Sequence, residues 1–396
     1  MNSKEINEDI FWVGVDDRET QSFESMWPIQ RVGITYNAYA IKDEKIALID
    51  PVRINLSDLY LSKVKNIIGD VPVDYIIINH MEPDHTGAIT EVVKAYPNVK
   101  IVCNKKTVPM LEAFYEITEN LLIVNEGDTL NLGKHTLQFY TTPMVHWPES
   151  MVTFEVTTKT LFSMDIFGSY KVTENKIFDD ENNLDDFYDE IYRYYATIIG
   201  KVSKPAQKAL KKLAPLEIKM ICPAHGLIWR DNLQYILKLY EDMSHFVRQE
   251  GVVIVYGSMY GNTKAAAEQI KKALEDKHIE NIKVYNVSTD DISYIVRDIW
   301  KYKGLILGAP SYYGRIFPKM AHLLYKLEEI RTENHKVAFF TNYSWSGGAA
   351  KYFDAFAKNV NSDVINDTIR IKGRATKEDE QALIDLANKM ASEIKS

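Results

Sequence analysis

Tyr75-Ile-Ile-Ile-Asn79-His80-Met-Glu82-Pro-Asp84-His85 runs an apolar segment straight into a cluster of metal-binding side chains. The segment Val73 to Asn79 has the pattern of a buried strand. His80, Glu82, Asp84 and His85 begin where that strand ends. Active groups at the carboxyl ends of strands are the usual arrangement in α/β sheets. Pro83 blocks a continuous helix through the run, so the loop can splay its side chains around two metal ions.

Further candidate ligands follow the same rule. His146 precedes Trp147-Pro148, Asp165 follows Leu161-Phe-Ser-Met164, and His225 sits in Cys222-Pro-Ala-His-Gly226. Taken singly, each has an ordinary explanation: Asp84 as a helix N-cap before Thr86, Asp165 as a strand-end turn residue, His146 and His225 as loop histidines. Taken together they place His and carboxylate groups at four successive strand ends, which is what a dinuclear site needs.

Outward from this run, the first 250 residues mix strands with helices. Strands are expected at 11–15, 38–41, 46–50, 99–103, 121–124, 136–140, 151–156 and 160–163, and helices at 56–68, 184–199, 205–213 and 232–248. That mixture suggests a sheet sandwich covered by helices. Near Gly251 the pattern changes to a regular alternation. Strands are expected at 252–257, 282–287, 304–309, 336–341 and 364–371, with helices between them and a last helix at 376–394. Five such units make a doubly wound parallel sheet. The expected domains are 1–249 and 250–396.

The second domain opens with a strand running into Gly257-Ser-Met-Tyr-Gly-Asn-Thr263. Ser258, Asn262 and Thr263 supply donors, Gly261 lets backbone approach an anion, and a helix N-terminus adds its dipole. Without Gly-Lys-Ser/Thr this is no Walker A loop, and without Gly-x-Gly-x-x-Gly it is no dinucleotide fingerprint. Ala309-Pro310-Ser311-Tyr312-Tyr313-Gly314 and Thr341-Asn342-Tyr343-Ser344-Trp345-Ser-Gly347-Gly348 follow later strands, with aromatic and small polar residues suited to sandwiching an isoalloxazine ring.

Composition bounds the rest. At 396 residues, 46% apolar and 26% charged, the chain suits two soluble globular domains. A net charge of −8 argues against a general nucleic-acid binder. No stretch approaches the roughly 20 apolar residues of a membrane span, and the N-terminus carries no apolar signal core. Two cysteines, Cys103 and Cys222, exclude a disulfide framework, a four-cysteine iron–sulfur cluster and a rubredoxin-like module within these residues. A reducing cytoplasm is the natural reading.

His80-x-Glu82-x-Asp84-His85 resembles the His-x-His-x-Asp-His metal motif of the metallo-β-lactamase superfamily, with Glu82 in place of a histidine. His146, Asp165 and His225 match its later ligands in order and spacing. This form, followed by a flavodoxin-like domain, resembles the flavodiiron proteins, or A-type flavoproteins. The similarity runs over essentially the whole chain, including Thr35-Tyr-Asn-Ala-Tyr39 and His146-Trp-Pro148. It implies a metallo-β-lactamase-like αββα sandwich followed by a flavodoxin-like five-stranded doubly wound parallel sheet. One iron would take His80, Glu82 and His146, a second Asp84, His85 and His225, with Asp165 bridging them. Carboxylates in the set favour iron or manganese.

FMN would be held by Ser258, Met259, Tyr260, Gly261, Asn262 and Thr263, by Pro310, Ser311, Tyr312, Tyr313 and Gly314, and by Asn342, Tyr343, Ser344, Trp345 and Gly347. Ser311 stands where members of the family often have Thr, and Thr341-Asn-Tyr-Ser-Trp345 where they often have Gly-Ser-Tyr-Gly-Trp. By the resemblance Tyr195 would donate a proton or hydrogen bond near the metal pocket, the alternative being a core tyrosine.

The implied activity is reduction of O2 to water and/or NO to N2O. An external donor, either rubredoxin or a reduced deazaflavin coenzyme, would supply FMN. Transfer would run across a head-to-tail homodimer, alone or as a dimer of dimers. A zinc hydrolase carrying a flavodoxin-like module is the rival, against which Glu82 counts. A flavin carrier with a vestigial metal domain is a third reading, against which the complete ligand set counts.

Overall fold

The computed structural model describes residues 3–395. The chain forms two compact units, Met1–Tyr194 with Val202–Glu241, and Tyr195–Lys201 with Asp242–Ser396.

The first unit is built on two facing sheets. One runs in the order Lys4–Asn7, Ile10–Trp12, Tyr39–Lys42, Ile46–Ile49, Tyr75–Ile77, Lys100–Asn104, Leu121–Val124. Its first four strands pair antiparallel and its last four parallel, so Ile46–Ile49 belongs to both halves. The other runs Thr129–Asn131, Thr136–Thr141, Met151–Glu155, Thr160–Met164, Met220–Pro223, antiparallel except for the last pair. Ile10, Trp12, Tyr39, Ile49, Ile77 and Val102 from one sheet share a core with Leu137, Phe139, Met151, Phe162 and Cys222 from the other. Burial of this apolar layer, at about 25 cal/mol per Å2, is the main force holding the sheets together. The carboxyl ends of Tyr75–Ile77, Thr160–Met164 and Met220–Pro223 lead directly into ligand loops.

The second unit is a parallel sheet ordered Ile282–Asn286, Gln249–Tyr256, Tyr302–Tyr312, Lys336–Tyr343, with Asp363–Val364 and Ile369–Lys372 both pairing on the last. This is the flavodoxin-like order. Its topological switch lies between Gln249–Tyr256 and Tyr302–Tyr312, where such sheets bind ligands.

Three local expectations change. The strand expected at 11–15 breaks at Gly14, where a Cβ would meet the Tyr36 carbonyl oxygen at 2.5 Å; the chain restarts as Val15–Asp17, paired with Ile34–Tyr36. The helix expected at 184–199 is an α-helix only over Asp185–Tyr194 and widens into a π-turn over Tyr195–Ile199. The last strand expected at 364–371 is two short pieces, because the chain leaves the sheet between Val364 and Ile369. Among the described residues no helix is long and apolar enough to cross a membrane.

Candidate metal centre and flavin pocket

The ligand run is anchored by the residue before it. Asn79 donates its backbone N–H and its side-chain Nδ2 to the two oxygens of Asp50, each at 2.8 Å, and accepts the Thr153 hydroxyl at 2.7 Å. Asp50 directly follows the strand Ile46–Ile49 of one sheet and Thr153 lies within a strand of the other, so Asn79 pins the run at the seam of the sandwich. Pro83 then begins a one-turn helix, Pro83–Thr86, where its missing N–H and fixed φ do no harm. Glu82, not Asp84, is the N-cap residue, and its side chain makes no cap bond. It turns instead to the Nε2 atoms of His146 at 2.9 Å and His80 at 3.4 Å.

Two groups of three result. His80, Glu82 and His146 form one, and Asp84, His85 and His225 the other; in each, the possible ligand atoms lie within 4.8 Å of one another. Asp165 stands between them. Its Oδ2 is 3.7 Å from Nε2 of both His80 and His146, while its Oδ1 is 3.3 Å from Nε2 of His85 and 3.6 Å from that of His225. The seven residues expected from the sequence thus converge on one pocket.

The donor set fits metal ions. Both oxygens of Asp84, Oδ2 of Asp165 and Nε2 of His225 are buried without a hydrogen-bond partner. A polar atom left so costs about 1–3 kcal/mol, and a charged one more. His80 donates Nδ1–H to Glu149 Oε1 at 2.7 Å, and His225 donates Nδ1–H to the Thr35 carbonyl at 2.7 Å. Each bond fixes the tautomer and leaves Nε2 as a free donor atom. The His225 ring is held edge-on by Phe23 and Tyr36 and packs tilted against Tyr194, with centroids 5.4–5.6 Å away.

The charges set one another. Burial acts to raise Glu82 and Asp165, but His146 and His80 around the first, and His85, His146 and His80 around the second, hold both well below the usual carboxylate range. Burial acts to lower His85, yet Asp84 and Asp165 lift it to about 9. Glu149 and Glu82 likewise hold His80 well above its ordinary value against burial. A metal ion would take over the role of these protons.

The pocket opens to solvent on one side. Glu82, Asp84 and His146 keep 11, 11 and 10% of their side-chain surface exposed. A cleft lined by Ser22, Phe23, Glu24, Tyr36, Arg53, Phe114 and Tyr115 reaches Glu82 and Asp84.

Tyr195 is a correction. It is wholly buried in the second unit, its ring 5.6 Å from that of Trp300. The tyrosine at the pocket is Tyr194, whose hydroxyl donates to Asp165 Oδ1 at 2.8 Å. Successive helical residues lie about 100° apart around the axis, so two neighbours cannot share one face. Two other residues at the site, Glu149 and Asn37, were given no role from the sequence. Asn37 donates Nδ2–H to the carbonyls of Pro223 and Gly226 at 2.9 and 3.1 Å and accepts Trp12 Nε1–H at 2.8 Å. It clamps the loop that carries His225. The Trp147 ring packs edge-on to His80 at 5.1 Å.

In the second unit, a pocket at the switch point is lined by Ser258, Met259, Tyr260, Asn262, Thr263, Pro310, Ser311, Tyr313, Gly314, Asn342, Tyr343, Ser344 and Trp345, with Ser346 in addition. Gly261, Tyr312 and Gly347 stand beside this lining rather than in it. Gly261, at φ 97°, caps the helix Asn262–Asp276, and Ser258 Oγ accepts its N–H at 3.1 Å. The Gly314 carbonyl lies so close to Gly348 that a Cβ there would meet it at 2.0 Å. Tyr260, Tyr313 and Trp345 stand 93, 87 and 88% exposed around the pocket. Large aromatics grouped on a surface mark a binding site, and a flat ring system stacked on them together with an anion at the helix N-terminus satisfies both features.

Comparison with known proteins agrees with this division. Residues 34–226 match the ODP family beta lactamase model, and residues 254–385 match the flavodoxin model. The anaerobic nitric oxide reductase flavorubredoxin of Escherichia coli is 32% identical over 349 residues, which are 87% of this chain and 73% of that protein. An uncharacterised protein of Methanocaldococcus jannaschii is 32% identical over 364 residues, 92% of this chain and 91% of its own. Among solved structures, the rubredoxin oxygen:oxidoreductase of Desulfovibrio gigas superposes with a TM-score of 0.95 at 28% identity, covering 100% of this chain and 99% of that one. The flavodiiron protein of Giardia intestinalis gives 0.94 at 26%, covering 99% and 96%. With relatives this similar over both halves, the chain belongs to the flavodiiron protein family.

Proposed function

We propose that this protein is an oxidoreductase that scavenges a diatomic gas, reducing O2 to water and/or NO to N2O, with FMN and two irons as its cofactors. The observation that carries the reading is Asp165 standing between two groups of three ligands, one oxygen toward each. His80, Glu82 and His146 would hold one iron, Asp84, His85 and His225 the other, with Asp165 shared. Residues 1–249 would form the metal domain and 250–396 the flavin domain. The Ser258–Thr263 loop would take the FMN phosphate, and the loops at 310–314 and 342–347 its ring.

When bound, the paired irons supply adjacent redox centres for a small gas and FMN supplies a two-electron store. The chain's own residues provide the setting. Phe23, Tyr36, Phe114 and Tyr115 line the cleft through which a gas would reach Glu82 and Asp84. Tyr194 holds its proton on Asp165 Oδ1 and so fixes the shared carboxylate. Glu149 and Thr35 keep the Nε2 atoms of His80 and His225 turned inward.

Electrons would come from an external donor, rubredoxin or a reduced deazaflavin coenzyme, and would pass between chains of a head-to-tail homodimer or a dimer of such dimers. The free, buried Cys103 and Cys222 suit a reducing cytoplasm. The test is anaerobic stopped-flow reoxidation of the fully reduced, iron- and FMN-loaded protein by O2 and by NO in parallel. Faster repeated turnover with O2 makes it an oxygen reductase. Faster turnover with NO, and N2O as product, makes it a nitric oxide reductase. Reoxidation by neither overturns the reading.

A further inference from the structure

The two groups of ligands are alike in donor atoms and unlike in what stands behind them. His80 Nδ1–H donates to Glu149 Oε1, and the Met81 backbone N–H donates to the same oxygen at 2.9 Å. Glu149 is 1% exposed, and its other oxygen has no hydrogen-bond partner. A negative charge, little compensated except through His80, therefore backs one position. His225 Nδ1–H donates instead to the Thr35 backbone carbonyl, a neutral dipole. A carboxylate behind an imidazole raises the basicity of its metal-binding nitrogen more than a carbonyl does.

The shared carboxylate carries the same bias. Its Oδ2 faces His80 and His146, while its Oδ1 faces His85 and His225. Only Oδ1 receives the Tyr194 hydroxyl. An oxygen that already accepts a hydrogen bond has less charge to give a metal, so Asp165 is the weaker donor on the side of His85 and His225. Each group also has one carboxylate of its own, Glu82 or Asp84, so formal charge does not offset these differences.

We propose that Glu149 and Tyr194 are positioning residues that make the two metal positions unequal, the ion on His80, Glu82 and His146 being held more tightly than the ion on Asp84, His85 and His225. The inference rests on the functional reading above and adds an order to it. The Glu149-backed position fills first and empties last.

The test follows iron release rather than turnover. Protein loaded with iron and FMN is mixed anaerobically with excess ferrous chelator, and released iron is followed against total iron. One equivalent is expected to leave at least tenfold faster than the other. In Glu149→Gln, which keeps the size and the Met81 bond, the slow phase should speed up about 10–100-fold, the usual effect of losing such a partner, while the fast phase keeps its rate. In Tyr194→Phe the fast phase should slow and the slow phase stay. Hydrogen exchange of the first unit's strand amides checks that each variant is folded there, and Tyr194→Phe carries the test alone if Glu149→Gln does not fold. A single release phase in the unaltered protein, or a Glu149→Gln protein in which both phases quicken alike, overturns the inference. A protein that takes up fewer than two irons overturns the functional reading as well, so the two failures are told apart by total iron.

Discussion

Replacing Asn37 with alanine tests how the fold holds its most distant ligand. Asn37 is 2% exposed and makes three side-chain hydrogen bonds, to Pro223 O, Gly226 O and Trp12 Nε1. Pro223 O keeps a second donor, the Tyr39 hydroxyl at 2.8 Å, so its loss is about 1 kcal/mol. Gly226 O and Trp12 Nε1–H are left buried without those partners, at about 1–3 kcal/mol each. The sum is about 3–7 kcal/mol, a large fraction of the ~5–15 kcal/mol that holds a typical domain. The Asn37 backbone N–H still reaches Ala224 O at 2.7 Å, so the loop loosens rather than leaves.

Hydrogen exchange of the Asn37 and Ala224 amides in metal-free protein reads this locally, without assuming that both units unfold together. Asn37→Ala should exchange these amides about a hundredfold faster or more, since 1.4 kcal/mol is a factor of ten. It should also weaken the metal on Asp84, His85 and His225 more than the other. A change below about 1 kcal/mol, or equal weakening of both metals, would refute the clamp.

Other outcomes follow from the same geometry. Glu82→Ala removes a carboxylate 2.9 Å from His146 Nε2, and should abolish gas reduction and deplete iron while FMN stays bound; turnover at full rate would remove Glu82 from the ligand set. His85 is raised from 6.5 to about 9, so its contribution to metal-free stability is complete below 6.5 and lost as pH rises through 9. The neighbouring Glu82 and Asp165 stay ionised across that window. Thermal denaturation should therefore fall in midpoint between these pH values for the metal-free protein and change less for the loaded one, where iron replaces the proton; parallel profiles would contradict it. Gly348→Ala would drive a methyl into the Gly314 carbonyl and push the two loops of the flavin pocket away from each other. FMN affinity should drop at least tenfold with iron content unchanged, and an unaltered flavin titration would show the close approach to be dispensable.

The seven candidate metal ligands were legible because each follows a recognisable strand or belongs to one compact run, and because their residue types restrict the chemistry. The flavin loops were legible for the same reason, being placed by the order of a parallel sheet. What surrounds them was not. Glu149 matters only because it meets His80, and Asn37 only because it meets the 223–226 loop; nothing local in either residue announces those partners. Tyr195 was one position from Tyr194, an error of about 100° around a helix that also changes pitch between them. Gly14 broke a strand because the Tyr36 backbone passes too close for a side chain, again a long-range fact.

The ligands reach from residue 80 to residue 225, and His225 is delivered by the strand Met220–Pro223 lying beside Thr160–Met164. Such pairing between distant segments forms late and slowly. On the ligand set proposed above, a nascent chain would offer the position of Asp84, His85 and His225 no finished nest until nearly the whole first unit has left the ribosome and both sheets have met. Filling of that second position would then be a closing step of biogenesis, and a full complement of iron would certify a completed topology.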